Sequence, residues 1–245
     1  MIIDVPLKIQ RFDPDKDAKP YWQRYTAKAE PTDRMLDALI YVKERLDGTL
    51  TFRRSCAHGV CGSDGMMING RNHLACTVLV QKFLPAARPS KPIEIAPLKG
   101  FKVIKDLVVD MEGFFDKYRK MKPFLVAGAA PADGRERRQS PKELEKFEDT
   151  TKCILCASCT TSCPTFWINP DYAGPQAVVA AHRFLMDSRD EISAERLALI
   201  GDTDGVFRCR TVGNCIEACP RGINILKAIA EVRKLLVKNR VGLKV

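Results

Sequence analysis

Alternating apolar and polar positions open the chain and predict paired β-strands. Residues 6–12 alternate in this way, a polar Asp/Pro/Lys stretch follows, and residues 21–27 predict a second strand, so a hairpin with a long turn is expected. Asn69-Gly70 has the composition of a tight turn between two further short strands, and residues 93–95 predict another strand.

A helical period separates the first hairpin from the later strands. Thr32 is a candidate N-cap for a helix that runs through Leu46 and ends at Gly48, with Leu36, Leu39 and Leu46 on one face. Strands, one crossing helix and more strands predict a small α+β unit, and we assign it to residues 1–105.

The remaining residues, 106–245, have a different pattern and predict a helical domain without a convincing strand. Helices are expected at residues 107–121, 176–187, 194–200 and 224–239. A Gly/Pro/Arg-rich connector spans residues 127–140, and Ser140-Pro141 has the composition that begins a helix. The chain is therefore expected to hold two modules.

Composition and the order of residues argue against two classes of protein, those that span a membrane and those that are exported. The chain has 245 residues, 45% of them hydrophobic, and no run of about 18 apolar residues that would span a bilayer. Its first residues lack a charged segment followed by an apolar segment and a cleavage site, so an exported protein is not expected. Ten cysteines and a formal net charge of +10 then require an explanation.

The cysteines form three groups, and the second is the most specific. Cys153, Cys156, Cys159 and Cys163 are followed by proline, which is the C-x2-C-x2-C-x3-C-P run of bacterial ferredoxins. Three cysteines at every third position can wrap one cubane cluster. The fourth cysteine then points to a second cluster, so a second run is expected.

The second run is present in altered form, because Cys209, Cys215 and Cys219 keep the spacing while Val212 replaces one cysteine. Exchanging the fourth ligands between the runs gives two ligand sets. The set for a [4Fe–4S] cluster is Cys153, Cys156, Cys159 and Cys219. The other set has three thiolates, Cys163, Cys209 and Cys215, which predicts a [3Fe–4S] cluster with its fourth corner vacant at Val212.

The first cysteine group matches the plant-type [2Fe–2S] spacing, C-x4-C-x2-C with a distant fourth cysteine, except at one position. Cys56, Cys61 and Cys76 occupy three of the positions, and Asp64 occupies the other. An ionised carboxylate can bind iron, so these four residues are predicted to hold the cluster. The alternative is that Asp64 is a surface residue in a glycine-rich loop.

Disulfide bonds and zinc binding account for the cysteines less well than iron–sulfur clusters do. Disulfides are not expected in a chain that carries no export signal. Zinc commonly binds C-x2-C pairs, but it requires sets of four ligands, and the third group offers three cysteines without a nearby histidine. No residue is predicted to be catalytic, because the chain has neither a nucleophile motif nor a nucleotide-binding motif.

The chain resembles the iron–sulfur subunits of succinate dehydrogenase over nearly its whole length. The segments that carry the resemblance surround the cysteines or lie between them: residues 55–56, 59–65, 69–70, 74–76, 105–110, 153–156, 162–164, 183–190 and 207–220. The resemblance implies an α+β fold, with an N-terminal β-grasp plant-type ferredoxin domain and a C-terminal all-α bacterial-ferredoxin-type domain.

The resemblance also implies a function within a membrane complex. An FAD-containing flavoprotein subunit would oxidise succinate, and electrons would pass through the three clusters to a quinone. Membrane-anchor subunits, with or without haem, would hold the chain as a peripheral protein on the cytoplasmic face of the plasma membrane.

Pro164, Trp167 and Val212 match the wall of the family's quinone pocket. Ordinary packing is the alternative role of Trp167. Ile168 and Arg210 depart from the residues found in ubiquinone-using relatives, and these departures are compatible with menaquinone.

Two alternatives to this function remain. A fumarate reductase subunit would use the same clusters in the opposite net direction, and a soluble multi-cluster ferredoxin-like carrier would need no membrane partner. A nucleic-acid partner is not expected, because the basic residues form no groove-reading helix with aromatic partners.

Cluster binding also accounts for part of the charge. Three bound clusters with their thiolates would add about −5 to the formal charge. Bases on the C-terminal helix, Arg233 among them, are expected to face outward.

Overall fold

The computed structural model describes residues 1–84 and 91–240, and the chain divides into two compact units. The first unit comprises Met1–Met111 together with the separate segment Ile154–Ser162. The second unit comprises Glu112–Cys153 and the described residues from Cys163 onward.

The first unit is built on a mixed five-stranded sheet. The described residues form seven strands: β1 (Ile3–Arg11), β2 (Tyr21–Ala29), β3 (Gly65–Ile68), β4 (Arg71–Leu74), β5 (Ile93–Ala96), β6 (Val103–Lys105) and β7 (Val108–Val109). The sheet order is β2-β1-β5-β3-β4, with β1 parallel to β5 and the other pairs antiparallel. The predicted hairpin, the Asn69-Gly70 turn and the later strand are all confirmed.

Alternation along β1 determines which face of the sheet is covered. Val5, Leu7 and Ile9 are fully buried, whereas the intervening side chains are partly exposed. These residues join Met35 and Leu39 in one hydrophobic core. A mixed sheet with a helix against its apolar face is therefore the framework that carries the first cysteine group.

The helices are short apart from two in the second unit. Those of the described residues are α1 (Met35–Tyr41), α2 (Glu112–Lys120), α3 (Pro141–Leu144), α4 (Glu148–Thr151), α5 (Ser158–Thr161), α6 (Pro164–Ile168), α7 (Gly174–Leu185), α8 (Ser193–Ile200), α9 (Asn214–Ala218) and α10 (Ile225–Arg240). The expected helices near residues 176–187, 194–200 and 224–239 are confirmed as α7, α8 and α10.

The first helix differs from the prediction at both ends. Arg34, not Thr32, is the N-cap residue, and the Asp37 carboxylate accepts a hydrogen bond from the Arg34 N–H at 2.9 Å. After Tyr41 the helix widens into a π-helical turn over Val42–Leu46. Because the wider turn changes the angular spacing of side chains, Leu46 is exposed and not on the buried face.

The boundary after residue 105 also differs from the structure. Strand β6 pairs with β7, so a division between residues 105 and 106 would cut a hairpin and leave a strand in the helical part. The buried Asp106 carboxylate accepts from Arg11 Nε at 2.9 Å and from the Thr51 N–H at 2.8 Å. These contacts hold residue 106 in the first unit, and the helix expected from residue 107 begins at Glu112.

The core of the second unit lies between α7 and α10. Helix α7 is buried along nearly its whole length, and α10 contributes the predicted apolar face, which comprises Ile225, Ile229, Val232 and Leu236. His182 on α7 places Nε2 2.7 Å from Glu231 Oε2 on α10, and its Nδ1 lies 3.3 Å from Thr150 Oγ1. His182 is thus a buried packing residue.

Candidate iron–sulfur centres

The loop that carries the first two cysteines directs backbone N–H groups at sulfur. The Cys56 Sγ accepts hydrogen bonds from the N–H groups of His58 and Cys61, each at 3.3 Å. Ala57 has a left-handed backbone conformation with φ +57°, which turns the chain around this sulfur. Backbone donors, the His58 N–H first among them, lower the pKa of Cys56 to about 6, so a thiolate is stabilised here.

Asp64 is buried beside Cys76. Its side chain is 2% exposed, and Oδ2 accepts a hydrogen bond from the Cys76 N–H at 2.6 Å. Burial and the neighbouring Asp64 carboxylate raise the pKa of Cys76 to about 12. The alternative of Asp64 as a surface residue is therefore wrong.

The other carboxylate oxygen supports a metal-binding role for this group of side chains. Asp64 Oδ1 is buried and has no hydrogen-bond partner in the described part of the chain. Buried carboxylate oxygens are normally paired, and an iron would supply the missing partner. Three thiols with one carboxylate fit a [2Fe–2S] cluster.

A site for a single metal ion would require a different arrangement of ligands. Within residues 1–84 and 91–240, no three or more His, Cys, Asp or Glu side chains converge as they would around one metal ion. The ligands of a [2Fe–2S] cluster are divided between two irons, so this finding does not test the cluster sites.

The first cysteine loop lies directly against the loop of Cys156. Gly62 has φ +68°, and a Cβ added there would lie 2.7 Å from the Cβ of Cys156. Leu155 and Ala157, on either side of Cys156, are both left-handed, with φ of +56° and +61°. The backbone that carries one predicted cluster ligand therefore touches the loop of another predicted cluster.

Asn72 holds this second loop in place and was missed by the sequence analysis. From β4, its Nδ2 donates to the Ser158 carbonyl at 2.8 Å and to Thr161 Oγ1 at 2.9 Å. These bonds hold α5 against β4. The segment Ile154–Ser162 therefore belongs to the first unit, although the residues before and after it in sequence belong to the second. A lone asparagine after a turn carries no sequence signal for this role.

The thiols of Cys163, Cys209 and Cys215 in the second unit lie within electrostatic range of one another. Cys215 is buried, and its pKa is raised to about 11 by burial and by the negative charges of Cys209 and Cys163. These are the three residues predicted to share a [3Fe–4S] cluster. Each additional thiolate destabilises the others, and cationic iron would remove that repulsion.

The loop between Cys209 and Cys215 turns through two left-handed residues. Thr211 has φ +59° and Gly213 has φ +94°, and the Thr211 N–H donates to Cys209 Sγ at 3.3 Å. Val212, between them, is 59% exposed.

Two further residues near these cysteines were not singled out by the sequence. Tyr172 is fully buried, and the charges of all three thiols act on it. Arg233 donates from Nη2 to the Cys209 carbonyl at 2.7 Å and to the Val206 carbonyl at 3.2 Å. Arg233 was expected to face outward; instead its Nε is buried, because the guanidinium caps the end of the turn before Cys209.

The other predicted site residues are placed as follows. Cys156 and Cys159 belong to the first unit, and Cys153 and Cys219 to the second. Of the predicted quinone residues, all in the second unit, Pro164 begins α6 and is half-buried, whereas Trp167 and Val212 are exposed.

Comparison with known proteins identifies the class. Residues 6–116 match the family of 2Fe-2S iron-sulfur cluster binding domains, and residues 145–220 match the 4Fe-4S dicluster domains. The chain is thus an iron–sulfur electron-transfer protein that binds [2Fe–2S] and [4Fe–4S] clusters.

A curated relative identifies the family. The mitochondrial succinate dehydrogenase [ubiquinone] iron-sulfur subunit 3 of Arabidopsis thaliana is 44% identical over 230 residues, which cover 92% of this chain and 73% of that protein. The chain belongs to the family of succinate dehydrogenase iron–sulfur subunits, and its function is electron transfer in succinate dehydrogenase.

Solved structures agree on the fold. A chain of the Mycobacterium smegmatis Sdh1 complex in the apo form matches with a TM-score of 0.86 and 23% identity, covering 98% of both chains. A hypothetical protein from Helicobacter pylori matches with a TM-score of 0.54 and 19% identity, covering 95% of this chain and 39% of that one. The predicted α+β fold, with a [2Fe–2S] domain before a helical cluster domain, is confirmed. Among the described helices, none is both long enough and apolar enough to cross a bilayer.

Proposed function

We propose that the chain carries electrons singly from an FAD-containing flavoprotein subunit, where succinate becomes fumarate, to a membrane quinone. The bound clusters would be [2Fe–2S], [4Fe–4S] and [3Fe–4S], used in that order, and they supply one-electron redox chemistry. Substrate chemistry belongs to the flavoprotein, so this chain contributes ligands, spacing and electrostatics and no catalytic residue.

The single observation that carries the proposal is the buried Oδ1 of Asp64, which has no hydrogen-bond partner among the described residues. It completes a four-ligand set with Cys56, Cys61 and Cys76 for the first cluster. The Cys76 N–H bond to Oδ2 orients the carboxylate and leaves Oδ1 available to iron.

The close approach of two cysteine loops supports the first step in this order. Gly62 in the first cluster loop approaches Cys156, a ligand of the proposed [4Fe–4S] cluster, closely enough to exclude a Cβ. An electron leaving the first cluster therefore has a short path through packed protein atoms to the second. The [4Fe–4S] ligands are Cys153, Cys156, Cys159 and Cys219, as the spacing indicates.

The last cluster of the path is held by Cys163, Cys209 and Cys215, with Val212 in place of a fourth ligand. Pro164, Trp167 and Val212 form this chain's side of the quinone pocket, and the Trp167 indole N–H can donate to a quinone oxygen. Ile168 beside Trp167 favours menaquinone over ubiquinone.

The complex would attach to a membrane through partners. One or more anchor subunits, with or without haem, hold the chain at the cytoplasmic face of the plasma membrane. The exposed apolar side chains Trp167, Ile168 and Val212 support such a partner, because burying them removes apolar surface from water.

Electron paramagnetic resonance (EPR) of the purified complex during stepwise reduction tests the proposal. Three distinct signals are expected, one each from two-, three- and four-iron clusters. Val212→Cys should convert the three-iron signal to that of a four-iron cluster, because the new thiolate completes its ligand set. An unchanged three-iron signal in that variant would show that residue 212 does not determine the iron count.

The same preparation separates the two directions of catalysis. Succinate oxidation faster than fumarate reduction, measured with menaquinone and ubiquinone analogues, is expected of a succinate dehydrogenase. The reverse ratio would favour a fumarate reductase.

A further inference from the structure

The hydroxyl of Tyr172 is a buried donor without an acceptor. Its side chain is 0% exposed, and the hydroxyl has no hydrogen-bond partner within residues 1–84 and 91–240. Buried polar groups of proteins are nearly always paired, and the phenol of tyrosine usually finds a partner when its ring is buried. The unpaired hydroxyl therefore indicates an acceptor other than the described protein groups.

The backbone of Tyr172 is held in place on both sides. Its N–H donates to the Asn169 carbonyl at 3.2 Å, and its carbonyl accepts from Lys117 Nζ at 2.8 Å. The connection between α6 and α7 is therefore fixed at this residue. A fixed backbone and a ring packed on all sides leave the hydroxyl little freedom to reach solvent.

Three cysteines of the second unit, Cys209, Cys163 and Cys215, lie close enough to Tyr172 for their charges to act on it. Burial raises the pKa of Tyr172, and the negative charges of Cys209, Cys163 and Cys215 raise it further. The phenol thus keeps its proton and lies within electrostatic range of all three sulfurs. Its hydroxyl remains a donor.

A bound cluster would supply the missing acceptor. Protonated thiols are weak acceptors, whereas the thiolates and inorganic sulfides of a cluster are negatively charged. Hydrogen bonds to charged acceptors are about twice as strong as those between neutral groups.

We propose that the Tyr172 hydroxyl donates a hydrogen bond to a sulfur of the cluster held by Cys163, Cys209 and Cys215 and so raises the reduction potential of that cluster. The inference rests on the proposed function, because it requires a cluster at these cysteines. Reduction adds one electron and one negative charge, so the hydrogen bond is stronger in the reduced state. The proton stays on the phenol oxygen throughout.

Tyr172→Phe in the assembled complex tests this role, because it removes the hydroxyl and keeps the ring. In a redox titration followed by EPR of the three-iron signal, the ratio of reduced to oxidised cluster at a fixed potential should fall about tenfold. For a one-electron couple this is a decrease of about 59 mV. Tyr41→Phe removes the same atom from the first unit and should leave the potential unchanged.

A second readout uses the proton itself. Proton ENDOR (electron–nuclear double resonance) of the three-iron signal should show a coupled proton that exchanges in deuterated buffer and is absent in Tyr172→Phe. Unchanged potential and unchanged coupling in the variant would overturn the hydrogen bond while leaving the cluster assignment intact. Absence of such a proton in the unmodified complex would also overturn it. Absence of any three-iron signal there would refute the cluster assignment and this inference with it.

Discussion

Replacing Gly62 with alanine tests whether the close approach of the two cluster loops is required. Gly62 has φ +68°, and an added Cβ would lie 2.7 Å from Cys156 Cβ, 3.0 Å from Cys156 Cα and 3.0 Å from the Ile154 carbonyl oxygen. Carbon atoms in ordinary contact lie about 3.5–4.0 Å apart, so one loop must move by about 1 Å. Backbone atoms form most of this contact and cannot rotate away.

The chain offers a matched control in Gly70. This glycine has φ +80° in the Asn69-Gly70 turn, and no atom lies within 4 Å of an added Cβ. Both alanine variants lose about 1 kcal/mol to the left-handed conformation. Only Gly62→Ala also carries an overpacking cost of about 1–3 kcal/mol. The expected losses of unfolding free energy are thus about 2–4 kcal/mol for Gly62→Ala and about 1 kcal/mol for Gly70→Ala.

Thermal unfolding of the assembled complex provides the assay, with far-ultraviolet circular dichroism and visible cluster absorbance recorded together. A loss of 1 kcal/mol lowers Tm by about 2–4 °C in a protein of this size. Gly62→Ala should therefore lower Tm by at least about 4 °C, about twice the effect of Gly70→Ala or more. Magnetic interaction between the first and second clusters should also weaken in Gly62→Ala alone. Equal effects of the two variants would refute the argument that the loop contact is tight.

Two other changes test single groups. Asp64→Ala should abolish the EPR signal of the [2Fe–2S] cluster, because it removes a ligand and leaves the buried Cys76 N–H unpaired. Asp64→Cys should retain the signal. An intact signal in Asp64→Ala would contradict iron binding by Asp64. Burial lowers the pKa of His182 in the folded chain, so the unfolded chain binds a proton at this imidazole more tightly than the folded chain does. The free energy of unfolding should therefore fall as the pH falls below about 6.5. Urea unfolding at several pH values should show a shallower fall in His182→Gln, and an equally steep fall would contradict this assignment.

Spacing along the chain is the basis on which the ligands within each loop are predicted. Cysteines at every third position can surround a cluster with residues of one loop, so Cys153, Cys156 and Cys159 are predicted ligands without knowledge of the fold. The burial of Asp64 is compatible with this local rule, whereas the proximity of Cys163 to Cys209 and Cys215 depends on the fold.

The residues that the sequence did not reveal act across long separations. Asn72 binds Ser158 from 86 positions away, and Arg233 binds the Cys209 carbonyl from 24 positions away. Periodicity assigned Arg233 to a polar helix face because the pattern of one helix does not show that this residue meets the turn before Cys209. The same limit applies to the boundary at residue 105, which only the pairing of β6 with β7 corrects.

Backbone geometry explains how anionic clusters are accommodated without a cation for each charge. Seven non-glycine residues of the described chain have positive φ, and four of them lie in the cysteine loops: Ala57, Leu155, Ala157 and Thr211. Such a conformation costs about 1–2 kcal/mol per residue, so it persists where it serves another contact. Beside Ala57, the N–H groups of His58 and Cys61 reach Cys56 Sγ, and the Thr211 N–H reaches Cys209 Sγ. Successive N–H groups turned in this way form a cavity for negative charge that does not depend on side chains. Backbone N–H groups therefore stabilise these sulfurs without a basic side chain beside each of them.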